Sequence, residues 1–118
     1  MEWANYLKAW GDRYADDLTT DILPFWLRHG YDRENGGVYT CVDRDGRLMD
    51  TTKSVWFQGR CAWTFASAYN NIERRPEYLE IAKSCIDFSD AHCYDPTDGR
   101  MYFEVTADGR PLRKRRYV

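Results

Sequence analysis

An internal repeat constrains the fold of this chain more than any other feature of the sequence. Residues 31–47 align without a gap onto residues 94–110, at a fixed offset of 63 residues. Ten positions at this offset are identical, namely Phe25/Phe88, His29/His92, Tyr31/Tyr94, Asp32/Asp95, Gly36/Gly99, Tyr39/Tyr102, Val42/Val105, Asp45/Asp108, Gly46/Gly109 and Arg47/Arg110. Units that recur at such a period bury their apolar faces against neighbouring copies, so we expect a repeat architecture.

Each copy has the pattern of a helix end, a turn and a β-hairpin. Asp45-Gly46 and Asp108-Gly109 both follow segments in which side chains of different polarity alternate. Glycine accepts a positive φ without steric cost, so Asp-Gly after an alternating run predicts a hairpin. Because both hairpins are short and partly polar, we expect them to connect helices rather than to begin a large sheet.

The sequence before the first hairpin predicts a helix with an interruption. Large apolar residues recur at helical spacing from Trp3 to Ile22. Pro24 disfavours helical geometry at the residue before it, which predicts a kink or break before residues 25–27.

Two further helices are expected between the hairpins. One runs from about Ser54 to Asn70, with Thr52 or Ser54 as its N-cap. The next begins near Pro76, a residue suited to the first helical position, and stops before residues 95–96. Residues 1–118 thus hold fewer than two units of about 63 residues. Since roughly three or more repeats are usually needed for a stable core, we expect the N-terminal part of a longer repeat domain.

Composition argues against several classes of function. A net charge of −2 offers no long-range attraction for nucleic acid, and we expect the basic run at residues 113–116 to be a solvated strand or loop. No apolar run approaches the ~20 residues that span a bilayer, and the first residues lack a signal-peptide pattern. We therefore expect a cytoplasmic, soluble protein with no membrane partner.

Neither the cysteines nor the acidic turns indicate a metal. The 4 Cys have no CxxC spacing, which predicts reduced, buried thiols and no zinc site. The acidic turns at residues 32–34 and 43–45 could suggest calcium or paired-acid glycosidase chemistry, but turns select Asp and Gly in any case. No phosphate-binding loop is present, and we expect no cofactor. The aromatic fraction of 16% fits either a core of large side chains or a site where flat rings stack on sugars.

Four segments, occurring in order along nearly the whole chain, carry a resemblance to a known family. They are FWLRHG at 25–30, DRENGG at 32–37, DRDG at 43–46 and KSVWFQGRCAWTF at 53–65. Together they resemble the N-acylglucosamine 2-epimerase family, whose fold is shared by cellobiose 2-epimerases and related aldose–ketose isomerases. The resemblance implies a mainly α fold, an (α/α)6 toroid that is incomplete in this chain. Six units of this period would give on the order of 380 residues.

The same resemblance implies inversion at C2 of a ring-opened reducing sugar. Two histidines on opposite faces of the substrate would remove and return the C2 proton, and a cationic donor would stabilise the enolate. In the family these histidines belong to later helices, beyond Val118. We therefore do not assign this role to His29 or His92, which are repeat equivalents at helix ends.

Arg60 is the first candidate for a functional residue. On a helix, Trp56, Arg60 and Trp63 share one face, which would offer two indoles and a planar fork of donors to a sugar. The resemblance matches Arg60 to the family's active-site arginine and Trp56 to a site tryptophan. The alternative for Arg60 is a stem packed on core aromatics with its head paired to a carboxylate. We expect Trp63 and Phe65 to be packing residues.

The remaining predictions concern the hairpin tyrosines and the partners. Tyr39 and Tyr102 are repeat equivalents, so we expect structural roles for both. The expected partner is a small-molecule sugar, and we expect a homo-oligomer formed through exposed helix faces. Two alternatives to the epimerase stay open: a partial toroid that binds sugar or assembles without catalysis, and an α/α-toroid glycoside hydrolase with acidic residues aimed inward.

Overall fold

The computed structural model describes residues 2–114, which form helices joined by short hairpins. Helix α1 (Glu2–Asp17), a π-helical segment (Leu18–Ile22) and helix α2 (Leu23–His29) follow one another directly, and helices α3 (Val55–Asn71) and α4 (Pro76–His92) come later. The strands are β1 (Cys41–Val42), β2 (Leu48–Asp50), β3 (Lys53–Ser54), β4 (Glu104–Val105) and β5 (Pro111–Arg113). The expected order of helix, hairpin, helix, helix, hairpin is confirmed.

Of the kink or break expected at Pro24, the structure contradicts the break, and a π-helical segment, Leu18–Ile22, interrupts the α-helix just before α2. Leu23, directly before it, keeps helical angles of φ −66° and ψ −42°. The π-helical segment ends there, and the Leu23 N–H donates to the Leu18 carbonyl five residues earlier. A π-type turn has a wider hydrogen-bond ring than an α-turn, and it accommodates a residue that clashes with the preceding turn and lacks an N–H.

Helices α3 and α4 pack against each other through a short connection, as helix pairs with brief loops do. Pro76 opens α4, as predicted. Ser54 occupies the N-cap position of α3, but its side chain makes no capping hydrogen bond. Instead the Val55 N–H donates to the Phe103 carbonyl, 3.1 Å away, so the second hairpin caps this helix. The expected side-chain cap was therefore wrong in mechanism.

The repeat recurs in the backbone hydrogen bonds. Single antiparallel bridges join Tyr31 to Val38 and, 63 residues later, Tyr94 to Met101. Strands β1 and β2 form one hairpin, and β4 and β5 form the second. In addition β3 pairs with β4, with Lys53 opposite Val105. This pairing joins the two units into one three-stranded sheet of order β3-β4-β5, a connection that the repeat alignment does not predict.

The core lies between α2, α3 and α4. Its buried residues are Leu23, Val38, Ala62, Phe65, Ala68, Tyr78, Ile81, Ala82 and Cys85, and a second cluster joins the start of α3 to the second hairpin. By contrast α1 contains no buried residue. No helix within residues 2–114 is long and apolar enough to cross a membrane. Strand β5 is exposed, as expected for the start of the basic run, whereas Arg115 and Arg116 lie outside the described residues.

Candidate functional site

Helix α3 has two faces of different character, and the candidate site lies on the exposed one. Its buried residues, spaced three or four apart, are Val55, Gln58, Ala62, Phe65 and Ala68. Trp56, Gly59, Arg60 and Trp63 are exposed. Residues at this spacing lie on one side of a helix, so packing of the buried stripe leaves the other four residues facing solvent.

The structure brings Arg60 and Trp56 together. The Arg60 guanidinium carbon lies 4.3 Å from the centre of the Trp56 ring, a cation–π contact. Within residues 2–114 no carboxylate forms an ion pair with Arg60, so the alternative of a carboxylate-paired head is not observed in the described part of the chain. The guanidinium donors remain available for an oxygen-rich ligand.

Trp63 departs from the expectation of a packing residue. Its side chain is 73% exposed, whereas Phe65 is buried in the core as expected. The register of α3 explains the difference, because Phe65 falls on the stripe that contacts α4 and Trp63 falls on the side of Trp56. Two indoles and one guanidinium therefore share one solvent-facing surface.

A groove of about 350 Å³ follows this surface. It is lined by Trp56, Gly59, Arg60, Trp63 and Thr64. A neighbouring cavity of about 220 Å³, lined mostly by apolar side chains of α2 and α3, shares Arg60 and Thr64 with the groove. The volume of the groove lies at the small end of the range found for ligand sites. Its indoles and guanidinium suit a small polar molecule with one apolar face.

Lys53, which the sequence reasoning missed, fixes the start of α3. Its side chain is fully buried, and Nζ donates to Asp32 Oδ2 at 2.6 Å, to the Gly36 carbonyl at 2.7 Å and to the Ala107 carbonyl at 2.9 Å. All three ammonium donors are thus satisfied. Nζ also lies 4.4 Å from the centre of the Phe88 ring. A single buried charge links the first turn to the second hairpin, three residues before Trp56.

Gln58 is the second residue that was missed. Its side chain is fully buried, its Oε1 accepts the Val38 N–H at 2.8 Å, and its Nε2 donates to the Val38 carbonyl at 2.9 Å. The amide thus completes both backbone groups of a residue between the turn and the first hairpin. A signal existed, because a glutamine within the apolar stripe of a helix needs buried partners of this kind.

The acidic turns are turn chemistry, as predicted. Asp32 Oδ1 accepts the N–H groups of Glu34 and Asn35, both at 3.0 Å. Burial alone would raise the pKa of Asp32. Hydrogen bonds from Lys53 and the Asn35 backbone, with the charge of Lys53, outweigh burial and lower that pKa. Burial and the nearby Asp32 carboxylate raise the pKa of Tyr39, so this phenol stays neutral.

The two histidines contact turn glycines rather than the groove. His29 packs 5.0 Å from the Phe25 ring and His92 lies 5.0 Å from the Phe88 ring, measured between centroids. A side chain on Gly46 would lie 2.4 Å from the His29 ring. Each histidine thus closes its own hairpin onto its own helix, a structural role that agrees with their being repeat equivalents.

The cysteines are only partly as expected. Cys85 and Cys93 are buried free thiols, but Cys41 is exposed. A hydrogen bond with Cys61 and burial raise the pKa of Cys85, and burial raises that of Cys93 to about 11. These two buried thiols are therefore protonated and unreactive at neutral pH.

Comparison with solved structures defines the class of protein. The chain superposes on cellobiose 2-epimerase from Spirochaeta thermophila with a TM-score of 0.81, at 31% identity over 92% of this chain and 27% of that one. Cellobiose 2-epimerase from Bacillus thermoamylovorans gives a TM-score of 0.80, at 30% identity over 90% of this chain and 27% of that one. The fold is that of a segment of an (α/α)6 barrel, which confirms the expected fold class.

Sequence comparison then identifies the family. The sequence profile of the N-acylglucosamine 2-epimerase (GlcNAc 2-epimerase) family matches residues 1–117. N-acylglucosamine 2-epimerase from Bos taurus is 40% identical over 115 residues, 95% of this chain and 27% of that protein. The chain belongs to the N-acylglucosamine 2-epimerase family, and it spans about a quarter of the length of the curated relatives it matches.

Proposed function

We propose that this chain contributes the substrate-binding wall of a sugar 2-epimerase. The observation that carries the proposal is the exposed face of α3, where Arg60 lies between Trp56 and Trp63 along an open groove. The matched relatives named above are N-acylglucosamine and cellobiose 2-epimerases. The proposed substrate is accordingly a reducing sugar of the N-acylglucosamine/N-acylmannosamine, glucose/mannose or cellobiose type, in its ring-opened form.

The residues on this face fit the chemistry of C2 inversion. A base removes the C2 proton, the C2–H electron pair moves toward C1, and the C1 carbonyl oxygen becomes an enolate oxygen. Arg60 donates hydrogen bonds to that oxygen as its negative charge develops. Trp56 and Trp63 stack against the apolar faces of the sugar. Return of a proton to the opposite face of C2 completes the epimerisation.

The base and the acid are assigned to residues other than His29 and His92. Both imidazoles are engaged with phenylalanine rings and turn glycines. They occupy equivalent positions 63 residues apart, in separate units. Two groups that act on one carbon atom must both reach it. We therefore propose that other residues of the complete gene product supply proton transfer, and that the 118-residue chain by itself is inactive.

The experiment that tests this function is exchange and inversion at C2. The complete gene product is incubated in D2O with N-acetylmannosamine, mannose or cellobiose, and NMR follows loss of the C2 proton and appearance of the epimer. We expect turnover of at least one sugar. Arg60→Ala should lower kcat/KM about 100-fold or more, the effect of losing one donor to an oxyanion.

A matched control separates this loss from the loss of any arginine stacked on an aromatic ring. Arg33 is exposed, and its guanidinium carbon lies 4.6 Å from the centre of the Tyr31 ring. Arg33→Ala should leave kcat/KM unchanged. Absence of exchange with all three sugars would contradict the epimerase assignment. An Arg60→Ala variant as active as the parent would contradict the role of Arg60 only.

A second candidate function is sugar binding without catalysis, because the groove is present within this chain. Titration of the 118-residue chain with the same sugars, followed by tryptophan fluorescence, would detect it. A glycoside hydrolase has weaker support. Helix α3 contains no Asp or Glu, so the face that lines the groove offers no carboxylate for acid catalysis.

A further inference from the structure

Gly59 is a glycine that nothing in the described structure requires. It lies inside α3, so its backbone is helical, and it is not among the glycines with positive φ. A Cβ atom built on it meets no heavy atom within 4 Å. Glycine in a helix interior is less stable than alanine because it loses more conformational freedom on folding. Neither backbone geometry nor packing within residues 2–114 compensates for this loss.

Six of the other seven glycines have a positive φ or a Cβ position crowded by a neighbouring atom, and Gly11 is the exception. Gly37 combines a φ of 75° with a Cβ position 2.5 Å from Gln58 Oε1. A Cβ on Gly30 would lie 2.4 Å from the Trp26 ring. Against these, Gly59 stands out for its location. It lines the groove directly between Trp56 and Trp63, where a missing side chain lets a ligand approach the helix backbone.

We propose that Gly59 is a specificity-determining position of the sugar site, the floor on which the substrate rests between the two indoles. This inference rests on the proposed function. The occupant is the ring-opened sugar, whose carbon chain contacts the helix surface at Gly59 while its oxygens face Arg60. A methyl group at position 59 would project into the groove and displace the substrate from that surface.

The consequence is an unusual pairing of effects in Gly59→Ala. The substitution adds a good helix former in open space, so it should raise the Tm of the complete gene product by about 1 °C, given a length of roughly 380 residues. The same methyl group should raise KM roughly tenfold, the scale on which a pocket senses one methyl group. Gly59→Leu should raise KM further. A raised Tm would exclude partial unfolding of the variant as the cause of its raised KM.

Gly11 provides the matched control. It lies inside α1, and a Cβ built on it also meets nothing within 4 Å. Gly11→Ala should raise Tm to a similar extent and leave KM and kcat unchanged. The comparison isolates the position of the added methyl group from its effect on helix stability.

The measurement is Tm together with KM and kcat for the parent, Gly59→Ala, Gly59→Leu and Gly11→Ala, using the sugar that the parent turns over. A raised Tm with a raised KM in Gly59→Ala supports the inference. A parental KM would overturn it and leave the proposed function standing. A lowered Tm would overturn it as well, because Gly59 would then pack against another part of the protein. A parent that turns over none of the three sugars would overturn the proposed function and this inference with it.

Discussion

Lys53 carries a charge into a region that water does not reach. Its exposed fraction is 0%, and that of its partner Asp32 is 2%. Removing a charge from water is expensive, and breaking a buried pair leaves the remaining charge without compensation. The three acceptors around Nζ show that the ammonium group is fully coordinated by protein.

Lys53→Met should therefore destabilise the complete gene product by about 3 kcal/mol, because the buried Asp32 carboxylate loses its cation. Urea unfolding at pH 7 measures the effect. Lys83→Met is the control, since Lys83 pairs with Asp87 across one turn of α4 with both side chains exposed. That change should cost less than about 0.5 kcal/mol. Equal losses in the two variants would contradict the assignment.

The pH dependence follows from the lowered pKa of Asp32. A carboxyl group with a lower pKa in the folded state contributes stability above its unfolded pKa, near 4. This contribution disappears as pH falls through the folded value. Asp32→Asn should therefore be less stable than the parent at pH 7, and the difference should narrow below about pH 4. A difference that stays constant from pH 7 to pH 3 would contradict the prediction.

At the scale of the elements, each hairpin is held against its helix by a histidine over a glycine. Gly46 combines a φ of 89° with a Cβ position 2.4 Å from the His29 ring. Gly99 has a similar φ of 71°, but a Cβ there meets nothing within 4 Å. Gly46 is thus limited by backbone conformation and contact together, whereas Gly99 is limited by backbone conformation alone.

Gly99→Ala should cost about 1 kcal/mol of unfolding free energy, the price of a left-handed residue with a side chain. Gly46→Ala should cost at least about 1 kcal/mol more, because the His29 ring must move away. Thermal and urea unfolding of both variants test the difference. Equal losses of unfolding free energy in the two variants would contradict the prediction, because they would show that the His29 ring moves away without cost.

The elements also show how far sequence reasoning reached. The repeat predicted the order of helices and hairpins because local turn chemistry and helical spacing are readable in one copy and checked in the other. It did not predict the pairing of β3 with β4, since two residues carry no strand pattern and their partners lie about 50 residues away. The side-chain cap expected at Ser54 failed for the same reason, because the Phe103 carbonyl is a distant acceptor.

The candidate site divides in the same way. Helical spacing alone predicted that Trp56, Arg60 and Trp63 share a face, and the structure shows this. The burial of Lys53 and Gln58 depends on a turn and a hairpin that contact them from elsewhere in the chain. The proposal for Gly59 rests on the empty space around it, which the sequence does not show.

At the scale of the whole molecule, large apolar side chains are exposed along α1 and α3. Those on α1 are Trp3, Tyr6, Leu7, Trp10 and Tyr14, and α1 has no buried residue. Relatives of known structure extend over nearly four times the length that this chain matches. Contiguous apolar patches of this kind associate with partners when they are not covered.

The 118-residue chain expressed by itself should therefore self-associate or be marginally stable. Light scattering over a range of concentrations should show a mass that rises above 14.0 kDa. Replacing Trp3 and Trp10 with lysine should reduce the association, because charge opposes burial of that face. A sharp monomer peak with cooperative unfolding at high temperature would contradict the prediction.

Two hydrogen bonds join the start of α3 to the second hairpin. The Val55 N–H donates to the Phe103 carbonyl, and Lys53 Nζ donates to the Ala107 carbonyl. These bonds limit the order in which the chain can fold while the ribosome synthesises it. When α3 has just emerged from the ribosome, the two carbonyl groups that accept these hydrogen bonds have not yet emerged. Phe103 and Ala107 follow Asn71, the last residue of α3, by 32 and 36 residues, and they emerge with the second hairpin. Domains fold as units during such vectorial growth. The first turn of α3, which precedes the proposed sugar-binding face, is thus completed only after the second hairpin is in place.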